Sequence, residues 1–302
     1  MAKLHAHKIL IVGAGYVGSA LAHKLQQKGH EIWAIKRHAG DAVPWQVIAI
    51  DVATTKINVI DFDYVFYLIA PNDGSVAAYE KVYNTALTNI LCHLAEQQKK
   101  IRRLFFISST AVYGQDHGEW VDEKSLTRPA AKTAQIILQA EQDVLSSTVP
   151  ATVVRLSGIY GAGRTRFLEK IQRGEFSTRE SKRHTNRIHL DDCVGCLVHL
   201  MQCESPETLY LASDCDPASY DEVVQWLASR LRVKSALSEP APVAREVTDK
   251  RCSNQRLLQS GYQFKFPSYR EGYEQILQEV GSSAQEWMIP PFNFTTALAQ
   301  FC

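Results

Sequence analysis

The sequence predicts an α/β fold: a doubly wound parallel sheet with a smaller C-terminal α/β lobe over the sheet's carboxyl edge. Three observations carry that expectation. Short β-branched and aromatic runs alternate with helical patterns through the first two-thirds of the 302 residues. Those runs are almost continuously apolar, as strands covered by helices on both faces must be. The first run also leads directly into glycines spaced G-x-G-x-x-G and then into a helical pattern.

The strands expected in order are Lys8–Val12, Glu31–Lys36, Val47–Asp51, Tyr64–Ile69, Leu104–Ser108 and Ala151–Leu156. Between most of them lie helical periods at Tyr16–Lys28, about Ala77–Gln98 and Lys132–Ser146. After Tyr160 the pattern loosens, and Arg164–Arg187 is charged with few apolar positions. Ser219–Arg232 is expected to be a helix, with Ser219 as N-cap and Glu222 closing a capping box. The stretch SALSEPAPVAREV reads as a loop or edge segment. The expected division places residues 1–160, with about 187–215, in a nucleotide-binding unit. About 161–186 and 216–302 then form the smaller lobe.

Composition excludes several roles. The net charge is +1 with acids and bases interspersed, without the basic excess of a nucleic-acid surface. The cluster Lys99, Lys100, Arg102 and Arg103 reads as a solvated helix end. No apolar run reaches the ~18 residues that span a bilayer. The basic start is followed by only Ile9–Val12, too short for a secretion signal. Seven cysteines spread over a large chain suit a reducing compartment, and a cytoplasmic location is the expectation. Cys193, Cys196, His199 and Cys203 invite a zinc reading. One straight helix cannot easily wrap four ligands into a tetrahedron, so packing is the expected role and no metal is assigned.

The glycine loop carries the clearest chemistry. Gly13, Gly15 and Gly18, with Tyr16 and Val17 between them, stand between a strand and a helix. The first glycine permits a tight turn, the second lets backbone approach a diphosphate, and the third allows close helix–strand packing. This is the Rossmann-type arrangement for a pyridine dinucleotide. The second strand ends in Lys36, Arg37 and His38 where an NAD site would offer an acid. Arg37 therefore points to NADP, with NAD as the alternative. Asp51 and Val52 close the third strand, where Asp51 either accepts from the adenine amino group or caps a turn.

The glycine loop, SSTAVYG, RLSGIYGAGR and RIHLDD together resemble the short-chain dehydrogenase/reductase superfamily, in its extended and atypical branch of NAD-dependent epimerases and dehydratases. The match runs over about residues 8–280, and LLQSGYQFKFPSYREGYEQIL is similar to the closing segment of a YeeZ-like subgroup. The resemblance implies that Ser109 is the catalytic serine, four residues before Tyr113. It places Ala70 by the nicotinamide ribose, and Ser157 and Gly158 beside the nicotinamide. Asn84 matches the asparagine of the family's N-V-x-G-T helix, although Leu87 replaces its glycine. Arg164, Arg187 and His189 fall on the substrate side, the arginines at positions that approach a substrate phosphate. A nucleotide-sugar-like small molecule is the implied substrate and a homodimer the implied assembly.

One departure limits the analogy. The family writes Y-x-x-x-K-x-x-x-E on the helix that here reads TRPAAKTAQIILQAE. Counting back from Glu141 puts Ile137 at the lysine and Thr133 at the tyrosine. Lys132 is about 100° around the helix and cannot replace it. Without that lysine a tyrosine keeps a pKa of about 10, so Tyr113 is not an efficient base. Ser109 and Tyr113 remain as proton donors, an arrangement suited to carbonyl reduction rather than alcohol oxidation. The alternative is a cofactor-binding sensor or interaction protein that has lost catalysis.

Overall fold

A computed structural model describes residues 6–38, 40, 42–57, 61–96, 101–176, 183–234 and 248–283. Seven strands form one parallel sheet: β1 (Lys8–Val12), β2 (Glu31–Lys36), β3 (Gln46–Ala49), β4 (Tyr64–Tyr67), β5 (Arg103–Ser109), β6 (Ala151–Leu156) and β7 (Leu209–Ala212). Their order across the sheet is β7-β6-β5-β4-β1-β2-β3. The chain winds outward from β1 in one direction, then returns through β4 to run in the other. That reversal opens a crevice at the carboxyl ends of β1 and β4, where such sheets bind ligands.

Helices cover both faces. α1 (Tyr16–Gln27) buries Leu21, Ala22 and Leu25 on one face, beside Leu197 and Leu200 of α6 (Leu190–Gln202). α1 stops at Gly29, whose φ of +85° lets the His30 N–H reach back to the Leu25 carbonyl. The other face takes α3 (Leu87–Glu96) and α4 (Lys132–Ser146) through Leu87, Ile90, Ile137 and Val144. Ile136 and Leu138 pack at the edge of that core. A third apolar cluster joins α5 (Arg166–Gln172), α7 (Tyr220–Leu231) and α9 (Tyr269–Ser283), which follows the short α8 (Gln255–Gln259), through Leu168, Val224, Leu227 and Tyr273.

Sequence and structure differ at one element. The helix expected over about Ala77–Gln98 runs without a gap from Val76 to Glu96, but a π-helical turn at Lys81–Ala86 stands between Val76–Glu80 (α2) and α3. The Tyr67 hydroxyl, from β4, donates to the Val82 carbonyl at 2.6 Å and gives it a partner outside the helix. Insertion of a side chain at a helix carbonyl is a known cause of such irregularity. Gln97–Lys100 and SALSEPAPVAREV lie outside the described residues. The capping box at Ser219 and Glu222 is present.

The IHLDD turn anchors the segment of chain that leads into the last described helix. Asp192 is fully buried and accepts from the Tyr262 hydroxyl at 2.8 Å and from the Lys265 and Phe266 amides at 2.7 and 2.8 Å. Of the helix residues that invite a zinc reading, Cys193 and Cys196 are buried in the apolar core, and burial pushes the Cys193 thiol up to about 12. His199 Nε2 lies 3.0 Å from the Ser260 hydroxyl. Among the described residues no helix is long and apolar enough to cross a membrane.

Candidate functional site

The glycine turn follows directly from local sterics. Gly13 has φ +106°, and a Cβ there would sit 2.7 Å from the Ile69 amide nitrogen. Any L side chain is therefore both strained and obstructed, so the β1–α1 turn lies against β4's continuation. A Cβ on Gly18 would collide with the Gly13 carbonyl, which fixes helix α1 close to its strand. At Gly15, by contrast, nothing lies within 4 Å of that position. The open side of Gly15 faces a cavity of about 650 Å³, within the usual range for cofactor sites.

That cavity runs along the carboxyl edge of the sheet. Gly13, Gly15, Tyr16, Val17 and Gly18 line its middle, and Arg37, Asp51 and Val52 line one end. Ala70, Ser109 and Ser157 line the other walls. α1 starts with no side-chain cap and no acid in its first turn, so its amide dipoles face the cavity uncompensated by carboxylate. Ser157 is 5% exposed, and its hydroxyl has no hydrogen-bond partner among the described residues. A buried hydroxyl without a partner costs stability unless a ligand group meets it. These features fit an elongated anionic molecule with polar ends, as a dinucleotide is.

The basic end has structure of its own. Arg37 Nη2 donates to Asn72 Oδ1 at 2.7 Å, which brings the guanidinium to the cavity rim. Asp51 both caps a turn, accepting from the Ala53 amide at 3.0 Å, and pairs with Lys81 Nζ at 2.7 Å. The Lys81 hydrogen bond holds the Asp51 carboxyl below its ordinary pKa. Lys36, Arg37, His38 and Lys81 thus face one end of the cavity with a single acid already paired.

The expected catalytic residues separate. Ser109 lines the cavity, its Oγ accepting from the Ala111 amide at 3.1 Å. Tyr113 does not reach it. That tyrosine is fully buried, donates to the Asp122 carbonyl at 2.7 Å and accepts from Arg155 Nη1 at 2.8 Å. Burial raises its pKa further, so the geometry gives Tyr113 to the core and corrects its expected part as proton donor. Thr133 is half-buried in the first turn of α4 and lines neither cavity described here. Ile137 is 5% exposed in the core. Asn84 is exposed on the π-helical turn and also lines neither cavity.

A buried ion pair joins α4 to β6. Glu141 is 2% exposed and Arg155 5%. Arg155 Nε and Nη2 donate to the two carboxylate oxygens at 2.9 and 2.6 Å, and the Ser108 hydroxyl adds a third bond at 2.5 Å. Ser108 itself lines the cavity.

A second cavity, about 620 Å³, opens beside the first. Ile159 and Arg164 line both. Gly158, in the short strand Gly158–Tyr160, lines this second cavity, between Ser157, which lines the first, and Ile159, which lines both. Arg187, from the paired strand Arg187–His189, also lines the second cavity and donates to the Thr185 carbonyl and hydroxyl. His189 lines neither. Its Nδ1 accepts from the Asp191 amide at 3.2 Å to cap α6, and its ring packs on Tyr160 and Phe266. Burial keeps its pKa below the ordinary value, so the expected substrate contact becomes a neutral helix cap.

Beside Arg187 lies Asp214, 1% exposed, whose Oδ2 has no hydrogen-bond partner among the described residues. Burial pushes its pKa up to about 8. A carboxyl whose folded pKa exceeds its unfolded value binds an extra proton in the folded state. Its stabilising contribution is complete below the unfolded pKa, near 3.8, and is lost as pH rises through about 8. Asp214→Asn is expected to match the parent near pH 4 and to be the more stable at pH 9, as measured by urea unfolding. A variant weaker than its parent at pH 9 would contradict the assignment.

Sequence reasoning missed Lys81, Asn72, Tyr83 and Ser108 among the cavity residues. Ser108 was adjacent to an assigned residue and carries the opposite strand parity, a signal available from strand alternation. Asn72 and Lys81 arrive through loop and π-helix geometry, which leaves no periodic trace.

Comparison with known proteins agrees with this architecture. The family model described as the NAD dependent epimerase/dehydratase family matches residues 9–211. A protein from Methylobacillus flagellatus, itself only provisionally described as an NAD-dependent epimerase/dehydratase, is 33% identical. The match covers 91% of this chain and 99% of that one, with a TM-score of 0.77. The human epimerase family protein SDR39U1 (isoform 2), solved with NADPH, is 17% identical over 90% of this chain and 99% of its own, with a TM-score of 0.75. The Bordetella bronchiseptica enzyme WbmG, solved with NAD and UDP, is 19% identical over 92% and 96%, with a TM-score of 0.77. The two more distant likenesses establish the fold alone. The comparison with curated proteins gives no match. These findings reach the family and not the YeeZ-like sub-branch. On the family match, supported by the glycine turn and the sheet order, the chain belongs to the NAD dependent epimerase/dehydratase family.

Proposed function

We propose that this chain is an NADP(H)-dependent oxidoreductase of the epimerase/dehydratase type, acting on a carbonyl or sugar carbon of a small polar or nucleotide-linked substrate. The observation that carries the reading is the contiguity of the two cavities through Ile159 and Arg164. A dinucleotide in the first would meet a substrate in the second. The nicotinamide, when bound, supplies hydride donation and acceptance. The chain's own part is to orient both ligands and to offer the Ser109 hydroxyl as a proton donor, with no lysine-activated phenol beside it. The α5–α7–α9 core, with Arg187 at its cavity, serves as the substrate side. Structures of WbmG with NAD and UDP and of SDR39U1 with NADPH support the ligand classes.

The choice of NADP rests on Arg37. A charge-assisted hydrogen bond to a 2′-phosphate contributes about 10- to 150-fold in affinity. Arg37→Ala is expected to weaken NADPH by that factor and to leave NADH nearly unchanged, read by fluorescence titration. Equal losses for both coenzymes would contradict the assignment.

A second reading, a coenzyme-binding sensor without turnover, is favoured by α4, where Thr133 and Ile137 stand in place of the acid–base pair, and by Tyr113 in the core. NADPH oxidation against a panel of carbonyl compounds, nucleotide sugars included, separates the two. Binding without turnover across the panel would select the sensor.

A further inference from the structure

We infer that Tyr16 and Arg164 form a strap across the glycine turn, with the Arg164 guanidinium binding the cofactor's diphosphate on the side opposite the α1 amides. The inference rests on the dinucleotide reading above and moves Arg164 from the substrate's phosphate to the cofactor's.

Tyr16 is the first residue of α1, so its amide belongs to the turn that faces the cavity. Its side chain does not pack into the α1 core. It reaches across to the loop between Tyr160 and α5, where its hydroxyl donates to the Ala162 carbonyl at 2.6 Å. That loop is shaped to receive it. A Cβ on Gly161 would lie 3.1 Å from the Tyr16 hydroxyl oxygen, and one on Gly163 3.6 Å from Tyr16 Cε2. Arg164 then folds back, its guanidinium carbon 4.5 Å from the Tyr16 ring centroid. One bond, from Nη1 to the Ile159 carbonyl at 3.2 Å, steadies it.

The charge balance indicates what this cation serves. Among the described residues Arg164 has no carboxylate partner, although it lines both cavities. The α1 first turn likewise has no acid. A guanidinium stacked on the first residue of an uncapped helix, beside an open glycine, presents positive charge to the same space from two sides. A diphosphate satisfies both, since its oxygens accept the guanidinium fork and the backbone amides together. Ser157, on another wall of the same cavity, has a buried hydroxyl with no partner among the described residues and is independent evidence that a polar ligand lies there.

The test uses the full chain without substrate. NADPH and adenosine 2′-monophosphate, which has the 2′-phosphate but no diphosphate, are titrated against the parent, Arg164→Gln, Arg164→Lys and Tyr16→Leu. Arg164 is exposed, so its replacement leaves the core intact. Arg164→Gln is expected to weaken NADPH about 10- to 150-fold and to leave the monophosphate unchanged. Arg164→Lys should lose less, and Tyr16→Leu should shift NADPH in the same direction. Unchanged NADPH affinity in Arg164→Gln overturns the inference, as does an equal loss for both ligands. A parent that binds the monophosphate and NADPH normally while Arg164→Gln binds both normally leaves the dinucleotide reading standing and removes only the strap. A parent that binds neither removes both.

Discussion

Glu141→Ala is expected to destabilise the fold by about 3–5 kcal/mol, because it strips a buried arginine of its counter-charge. Among the described residues Arg155, at 5% exposure, would retain one hydrogen bond, to the Tyr113 hydroxyl. Ser108, facing the cavity, would lose its acceptor as well. Replacing both charges together, as Glu141→Leu with Arg155→Met, should cost much less than Glu141→Ala alone, since no uncompensated charge is then buried. Denaturant unfolding of the parent and the two variants measures this directly. A loss below about 1 kcal/mol in Glu141→Ala, a value typical of exposed pairs, would show that the pair is solvated and not part of the core.

Ser109→Ala is expected to lower turnover by about 10²- to 10⁴-fold, the usual contribution of a positioned proton donor, with little effect on NADPH affinity. Tyr113→Phe should do the reverse. Its hydroxyl bonds Arg155 and the Asp122 carbonyl inside the protein, so the loss falls on stability, by about 1–3 kcal/mol. Its kcat should stay within a few-fold of the parent. These opposite signatures separate a residue at the cavity from one that merely shares its sequence motif. A large fall in kcat for Tyr113→Phe with unchanged stability would place the phenol at the reacting atoms instead. The pair of measurements requires a substrate found in the carbonyl panel.

The sheet was legible because its signal is local and repeated. β1, β2 and β6 begin and end where the β-branched runs do, and α4 spans the residues its period marks. The glycine turn was legible for a steric reason, since Gly13 and Gly18 stand where a Cβ meets backbone. The π turn at Lys81–Ala86 was not, because the Tyr67 hydroxyl that meets the Val82 carbonyl comes from a neighbouring strand and leaves no trace in the helical period. His189 shows the same limit within the site. Its motif suggested a substrate contact, yet the side chain turns back to cap its own helix. Tyr113 was misplaced because sequence spacing along SSTAVYG reveals nothing of Arg155, 42 residues away, which draws the phenol inward. Motif order therefore located the walls of the cavity, while the direction of each side chain depended on partners that only the fold brings close.

The central claim is that a reduced nicotinamide coenzyme lies along the carboxyl edge of the sheet, its diphosphate over the glycine turn. Equilibrium titration of the parent chain with NADPH and NADH, followed by coenzyme fluorescence, tests it most directly. The expected result is saturable binding of both, with NADPH the tighter by about 10-fold or more. No saturable binding of either coenzyme at millimolar concentration would contradict it.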